Sequence, residues 1–328
     1  MSSILDMPNV VMSLIMEKLD YESVQNLRKS CRDLRHFIDD GKAESSITKI
    51  YIRYDSNYVI FNLDFSNESQ KRIHYHENGG RCRIEYHTNL FSRQTFLENS
   101  NFMDIACKDI ELALNSKNGV LKEFGVDLRD NSYLPPDPLL ESIRKNLSSR
   151  IQKLKVQEFK MDSRSLKHVP IILSLLDPKK LEQIRIDKTR DDPNFDFSKL
   201  VGLEQWKCAK WMMLCDYKVD EVLEHFLHFE TVIVYVREIT LDMVLELREA
   251  FIRSPHMKWY KLLNQTHYLS PQIYDLYGAP RMRNSDPQWC FKIPGHPEHV
   301  LNLNVESRYC ISLERIERAK VPEGVEIR

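Results

Sequence analysis

The sequence predicts an α/β chain: a short N-terminal helical segment, a β-meander, and a leucine-rich-like strand–helix repeat wound into a curved solenoid. Three observations predict it. Apolar residues recur at helical spacing over residues 8–39, then at a period of two from Ser46 to about residue 88, and then in one frame that returns along the chain. The expected boundaries are 1–45 for the helical segment and 46–328 for an α/β platform. The platform divides into a meander entry (46–100), repeats (101–280) and a closing β segment (281–328).

In the first segment Pro8 suits a first helical position, because its missing N–H would be unpaired there anyway. Val10, Val11, Leu14, Ile15 and Leu19 follow at helical spacing. Asp20 is placed to cap a second helix carrying Val24, Leu27, Cys31 and Leu34 at steps of three and four. So short a segment cannot bury its own apolar surface well and needs a partner or the rest of the chain.

The meander follows from alternation in Ile47–Ile52, Tyr58–Leu63, Lys71–His76 and Arg81–His87, with Asn78-Gly79-Gly80 as a hairpin turn. Phe102–Asn115 is helical in pattern. Leu121/Phe124/Val126 then opens the frame Φ-x-x-Φ-x-Φ, where Φ is apolar. It returns at Ile151/Leu154/Val156, Leu181/Ile184/Ile186, Leu203/Trp206/Cys208, Phe229/Val232/Val234 and Met257/Tyr260/Leu262. The starts are 30, 30, 22, 26 and 28 residues apart, with amphipathic helices at Leu166–Leu176, Val219–Leu227 and Leu241–Ile252. No copy has the Asn or Cys of a standard leucine-rich consensus. Pro135–Pro138 marks an exposed loop, and Trp289–Ile293, Val300–Val305 and Tyr309–Leu313 read as closing strands.

Composition excludes several classes of function. Lys plus Arg (47) balances Asp plus Glu (48), so there is no basic field for nucleic acid. Seven cysteines, an odd number with no CxxC pair, point to reduced thiols and a cytoplasmic or nuclear setting. Met1–Asp6 has neither a basic nor an apolar run, so no signal peptide is expected, and no stretch is long enough for a membrane span. Nine glycines offer no phosphate-cradling loop.

GxSxG and HExxH are absent, as is any tight acid–His–nucleophile spacing, so no catalytic residue and no cofactor are expected. Cys31 and Cys208 read as buried packing thiols. His74 and His76 share a strand face, and His225 and His228 stand at i, i+3. Lacking a recognised four-ligand frame, they read as surface or half-buried histidines, with no metal.

The fifth position of the frame holds Gly125, Lys155, Arg185, Lys207, Ile233 and Lys261. With strands in register, Lys155, Arg185 and Lys207 stack about 5 Å apart. Stacked like charges are unfavourable unless something negative covers them. The lane therefore predicts contact with an acidic or phosphorylated target segment, with Tyr235 and Trp259 as flanking aromatics and Lys261 in the same lane. The competing reading is a solvated face relieved by Asp187, Glu182 or Asp127.

Met7-Pro8, Val10-Val11, Ile15, Leu19, Leu27-Arg28 and Cys31-Arg32-x-Leu34-Arg35 resemble the F-box motif in order and spacing. Met7 stands for the usual leucine, and Leu34 for a common tryptophan. The remainder looks like the FTH domain of a large nematode family, in Phe102–Leu114, the Leu121 strand and the stretch from Phe291 to Ile316. The resemblance implies a substrate receptor of a Skp–cullin–F-box ubiquitin ligase, which is not itself an enzyme. Met7, Pro8, Val11, Leu14, Ile15, Leu19, Val24, Leu27, Arg28, Cys31 and Leu34 would dock on a Skp-type adaptor, and through it on a cullin. Competing readings are a hydrolase or transferase with a site on platform loops, a nucleic-acid binder using the basic lane, and a non-ligase protein-binding scaffold. The target is not named by the sequence.

Overall fold

The structure, a computed structural model, describes residues 6–19, 21–39, 46–89, 91–128, 137–163, 165–187, 196–219, 223–236, 238–264, 272–283, 286–305, 310–321 and 325–328. The expected cap at Asp20, the Pro135-Pro136 part of the loop and Tyr309 lie outside them. The chain divides into two compact units, one of Met1–Glu182 with Gly202–Cys208, the other of Gln183–Val201 with Ala209–Arg328.

The first unit begins with three helices, α1 (Asn9–Lys18), α2 (Tyr21–Ser30) and α3 (Arg32–Asp39). Pro8 sits at the cap rather than the first turn, and its carbonyl accepts from Val11 N (2.9 Å) and Met12 N (3.1 Å). Met12, Met16, Leu34, Phe37 and Ile38 form a small core of their own, with Leu19, Val24, Leu27 and Cys31 packed against it.

The meander then runs as β1 (Ile47–Asp55), β2 (Tyr58–Phe65), β3 (Gln70–Asn78), β4 (Arg81–Thr88) and β5 (Ser92–Leu97). The expected hairpin forms: Asn78 pairs with Arg81, and Gly79 and Gly80 take φ +61° and +81°, which two-residue turns require and glycine adopts freely. After α4 (Phe102–Asn115) come β6 (Leu121–Leu128), α5 (Asp137–Ser148), β7 (Val156–Ser163) and α6 (Val169–Leu173). The strand order in this unit is β7-β6-β1-β2-β3-β4-β5, with β7, β6 and β1 parallel and the rest antiparallel.

Strand alternation gives this sheet two unlike faces. Ile50, Ile52, Val59, Phe61, Ile73, Tyr75, Cys82 and Ile84 are buried, and α4 caps that layer with Phe102, Ala106, Ile110, Ala113 and Leu114. The other face carries Lys49, Tyr51, Arg53, Asn62, Arg72, His74, His76, Arg83, Glu85 and His87. Half-buried Arg150 closes the C-terminal end of α4, donating to the carbonyls of Leu114 and Lys117.

The second unit contains β8 (Gln183–Asp187), β9 (Trp211–Val219), β10 (Thr231–Val236), β11 (Trp259–Asn264), β12 (Arg281–Arg283), β13 (Asp286–Lys292), β14 (His299–Val305) and β15 (Cys310–Glu317). Their order is β8-β9-β10-β11-β15-β14-β13-β12, parallel through β11 and antiparallel beyond. Val232, Val234, Tyr260, Leu262, Leu303 and Leu313 are buried together with Val244, Leu247 and Phe251 of the helix Leu241–Arg253. Tyr260 Oη donates to the carbonyls of Phe226 (2.7 Å) and Phe229 (2.8 Å). Arg315 repeats the role of Arg150, donating to the carbonyls of Phe251, Ser254 and Met257 at the helix end.

The strand–helix alternation is therefore present, but the leucine-rich-like curved solenoid is not what these residues build. The fourth frame copy, Leu203/Trp206/Cys208, falls on the helix Glu204–Cys208, and the strand there is Trp211–Val219. Ile151 is fully exposed and precedes β7. Without a strand at the same place in each copy, the copies cannot stack as equivalent repeats. The segment expected as a helix at Val219–Leu227 supplies the last residue of β9 and a 3₁₀ turn at Leu223–Phe226.

Candidate functional site

Three surfaces have the chemistry for a function. The first is on α1. Val10 (72% exposed), Val11 (40%) and Leu14 (54%) stand at i, i+1 and i+4 on one side of α1, and Met7 (43%), just before the Pro8 cap, is exposed as well. Met12 and Met16, on the other side, are sealed in the three-helix core. A helix apolar on nearly every side is ordinarily buried on every side. This one is covered on one side only.

The sequence-predicted docking residues thus separate into two sets. Met7, Pro8, Val11 and Leu14 are exposed, and Ile15 and Arg28 are half-buried. Leu34 is 4% exposed, and Leu19, Val24, Leu27 and Cys31 pack against the same core. Leu34 is therefore corrected from an outward anchor to an inner one, because the internal core of α1–α3 takes it first. Val10, fully in the outward line, belongs with the exposed set.

The second surface is the half-buried face of β8–β11. Register aligns Arg185, Met213, Ile233 and Lys261, and beside them Trp211, Thr231 and Trp259, with Tyr235 next to Leu263. Arg185, Tyr235, Trp259 and Lys261 are thus brought to one sheet face. Arg185 Nε donates to Asp187 Oδ2 at 2.9 Å, the relief that the competing reading anticipated.

The expected stack of Lys155, Arg185 and Lys207 does not form. Lys207 is on a helix, paired with Glu204 at 3.0 Å, and Lys155 precedes β7. The register neighbour of Gly125 is Lys160, which Glu123 (2.9 Å) and Glu158 (3.2 Å) hold. Cys208, expected to be buried, is exposed at the end of that same helix.

The third surface, which sequence reasoning missed, is the polar face of β1–β4. A cavity of about 310 Å³ opens there between Lys49, Tyr51, Asp64, Lys71, Arg72, His87 and Glu123. Tyr51 leans over Gly125, where an added Cβ would run into its ring. Its hydroxyl donates to buried Asp127 (3.2 Å) and to Asp162 (3.3 Å). Lys49 pairs with Glu123 across the cavity at 3.7 Å. Cations and acids are both present, so the cavity suits a small polar ligand or side chain of either sign. Its signal was in the sequence: the outward positions of the meander alternate as charged, aromatic and histidine residues.

A nucleophile beside a base occurs at Ser163 and His168, with Oγ 3.0 Å from Nδ1. Both residues are buried, and Ser163 Oγ also donates to Ser165 O at 3.0 Å, so the pair ties a turn together. Burial pushes the Cys82 thiol up to about 11, the opposite of what a reactive thiolate needs.

Known protein families align with the two halves of this geometry. The F-box domain matches residues 4–42, covering α1–α3. The FTH domain matches residues 137–276, from α5 to the helix Gln272–Tyr277. The chain is an F-box protein with an FTH domain. The F-box therefore owns the exposed line of α1. The FTH match contains the β8–β11 face, whereas 102–128 and 291–316, included in the resemblance, lie outside it. The meander lies outside both. F-box A protein 224 of Caenorhabditis elegans is 24% identical over 256 residues, 75% of this chain. The chain covers 62% of that relative's length. No solved structure matches. Among the described residues, no helix is long and apolar enough to cross a membrane.

Proposed function

We propose that this F-box protein is a substrate-recognition subunit of a Skp–cullin–F-box ubiquitin ligase. In this reading α1 docks on a Skp-type adaptor, which links the chain to a cullin, and the β8–β11 face holds the target protein. The observation that carries it is the exposed apolar line Val10, Val11 and Leu14 on a helix whose other side is already sealed, with exposed Met7 just before its cap. Burying a Val or Leu side chain contributes about 1.5–3 kcal/mol, so four such residues give an adaptor helix ample driving force. Pro8 fixes the angle at which the chain enters the helix, and Ile15 and Arg28 border the contact. Leu19, Val24, Leu27, Cys31 and Leu34 support it from beneath.

For the target, Trp211, Tyr235 and Trp259 are the residue types that anchor interfaces. Arg185 and Lys261 select for an acidic or phosphorylated segment. The chain acts by holding the target, and transfer chemistry belongs to other subunits, in the cytoplasm or nucleus. Co-expression with a Skp-type adaptor tests the reading. The wild-type chain should co-purify with it at equal stoichiometry and the variant Val10→Asp/Leu14→Asp should not. Failure of the wild type to form any complex would overturn it. Charge reversal at Arg185 and Lys261 should lower target capture while leaving the adaptor bound.

A further inference from the structure

The polar face of the meander carries a second constellation, at residues 74–87, which neither domain match includes. His74 of β3 stands directly opposite Glu85 of β4. His87 is two residues further along β4 and so on the same face. One ligand atom from each of the three lies within 4.8 Å of the others. The rings of His74 and His87 are 5.1 Å apart, and His87 Nε2 is 3.6 Å from Glu85 Oε2. His76, the next outward residue of β3, brings its Nε2 to 3.7 Å from that same oxygen.

A carboxylate ringed by imidazoles has two explanations: protonated histidines paired with Glu85, or neutral ones awaiting a cation. The second fits better. Nε2 of His74 is buried with no hydrogen-bond partner, a cost that a bound cation would remove, and Nε2 of His76 makes no hydrogen bond beyond its 3.7 Å approach to Glu85.

Arg83 Nε lies 3.2 Å from Glu85 Oε1, which orients the carboxylate and leaves Oε2 towards the histidines. The guanidinium of Arg72, a positive neighbour, is directed to Asn62 Oδ1 at 3.1 Å.

We propose that His74, Glu85 and His87 form a binding site for a divalent transition-metal ion of the zinc class, with His76 beside it as an alternate donor. Two nitrogens and one oxygen suit zinc and not calcium or magnesium, which take oxygen ligands. With bonds of about 2.0–2.1 Å, tetrahedral ligand atoms stand roughly 3.4 Å apart, so closure asks for about 1 Å of side-chain rotation. The strands themselves need not move, since their register already sets the three residues on one face. Three protein ligands leave a fourth position open, and because His87 also lines the cavity, that position adjoins it.

The test uses the full-length chain, stripped with a chelator and dialysed against zinc, with cobalt as spectroscopic reporter. One ion per chain should bind, at least tenfold more weakly in His74→Asn and in His87→Asn, and unchanged in His225→Asn. The cobalt spectrum of the wild type should lack thiolate charge-transfer bands, which separates this site from the seven free thiols. The spectrum needs no variant and stands even if a variant unfolds. Absence of saturable binding, a thiolate-type spectrum, or wild-type affinity in both folded histidine variants would overturn the proposal.

Discussion

Helices α1 and α4 belong to the same unit and are finished differently. In α4, Asn101 accepts from Met103 N (2.8 Å) and Asp104 N (3.3 Å) at the cap, and five apolar residues are buried. Its stripe matches the sheet beneath it, and the opposite side is polar. In α1 the apolar residues run around most of the circumference, and only Met12 and Met16 are enclosed. The difference teaches that burial must be assessed by sector of a helix, not by its apolar content. α4 is sealed along its whole apolar stripe, whereas α1 closes its own core and leaves a second apolar sector exposed.

That contrast can be broken by substitution. Ile110→Ala in α4 should cost about 2–5 kcal/mol of stability, because it opens a cavity in a sealed layer. Leu14→Ala in α1 should stay within about 0.5 kcal/mol. Chemical denaturation of both decides whether the two helices differ as described. Gly125→Val forces a side chain into the ring of Tyr51 and should cost about 1–3 kcal/mol, read from the thermal midpoint. Removing the α4 cap with Asn101→Ala should cost about 1 kcal/mol by the same measurement.

The smallest expected effect is with pH. Burial, the first cause in both cases, depresses His74 and His76. The unfolded chain therefore binds protons first on acidification, and stability should fall as pH drops through about 6.5. Replacing both with Asn should flatten that part of the profile.

Much of the fold was legible in the sequence, for reasons specific to each element. The meander alternates cleanly and its Gly79-Gly80 turn fixes register, so His74 opposite Glu85 follows from pairing Asn78 with Arg81. That grouping lies across the hairpin, and the spacing along either strand alone does not reveal it. β5 was invisible because Ser92–Phe96 are exposed, leaving no buried side to alternate with.

The misplaced fourth frame has a different cause. Leu203 and Trp206 are three residues apart, a spacing that strand frame and helix share, and the helical geometry prevailed. Taken as a strand, that copy leaves Trp211–Val219 unassigned and places Lys207 in a basic stack. In the F-box the motif located the three-helix segment α1–α3. It could not separate outward Val10 and Leu14 from inward Leu34, since that depends on how α1 and α3 pack.

Binding of a purified Skp-type adaptor to Val10→Asp/Leu14→Asp, measured by calorimetry beside the wild type, tests the central claim most directly. The unfolding midpoint of the variant serves as the control. The account expects the midpoint to stay near that of the wild type and the affinity to fall at least a hundredfold. Undiminished affinity in a folded variant would contradict it, because the exposed line on α1 would then have no role in docking.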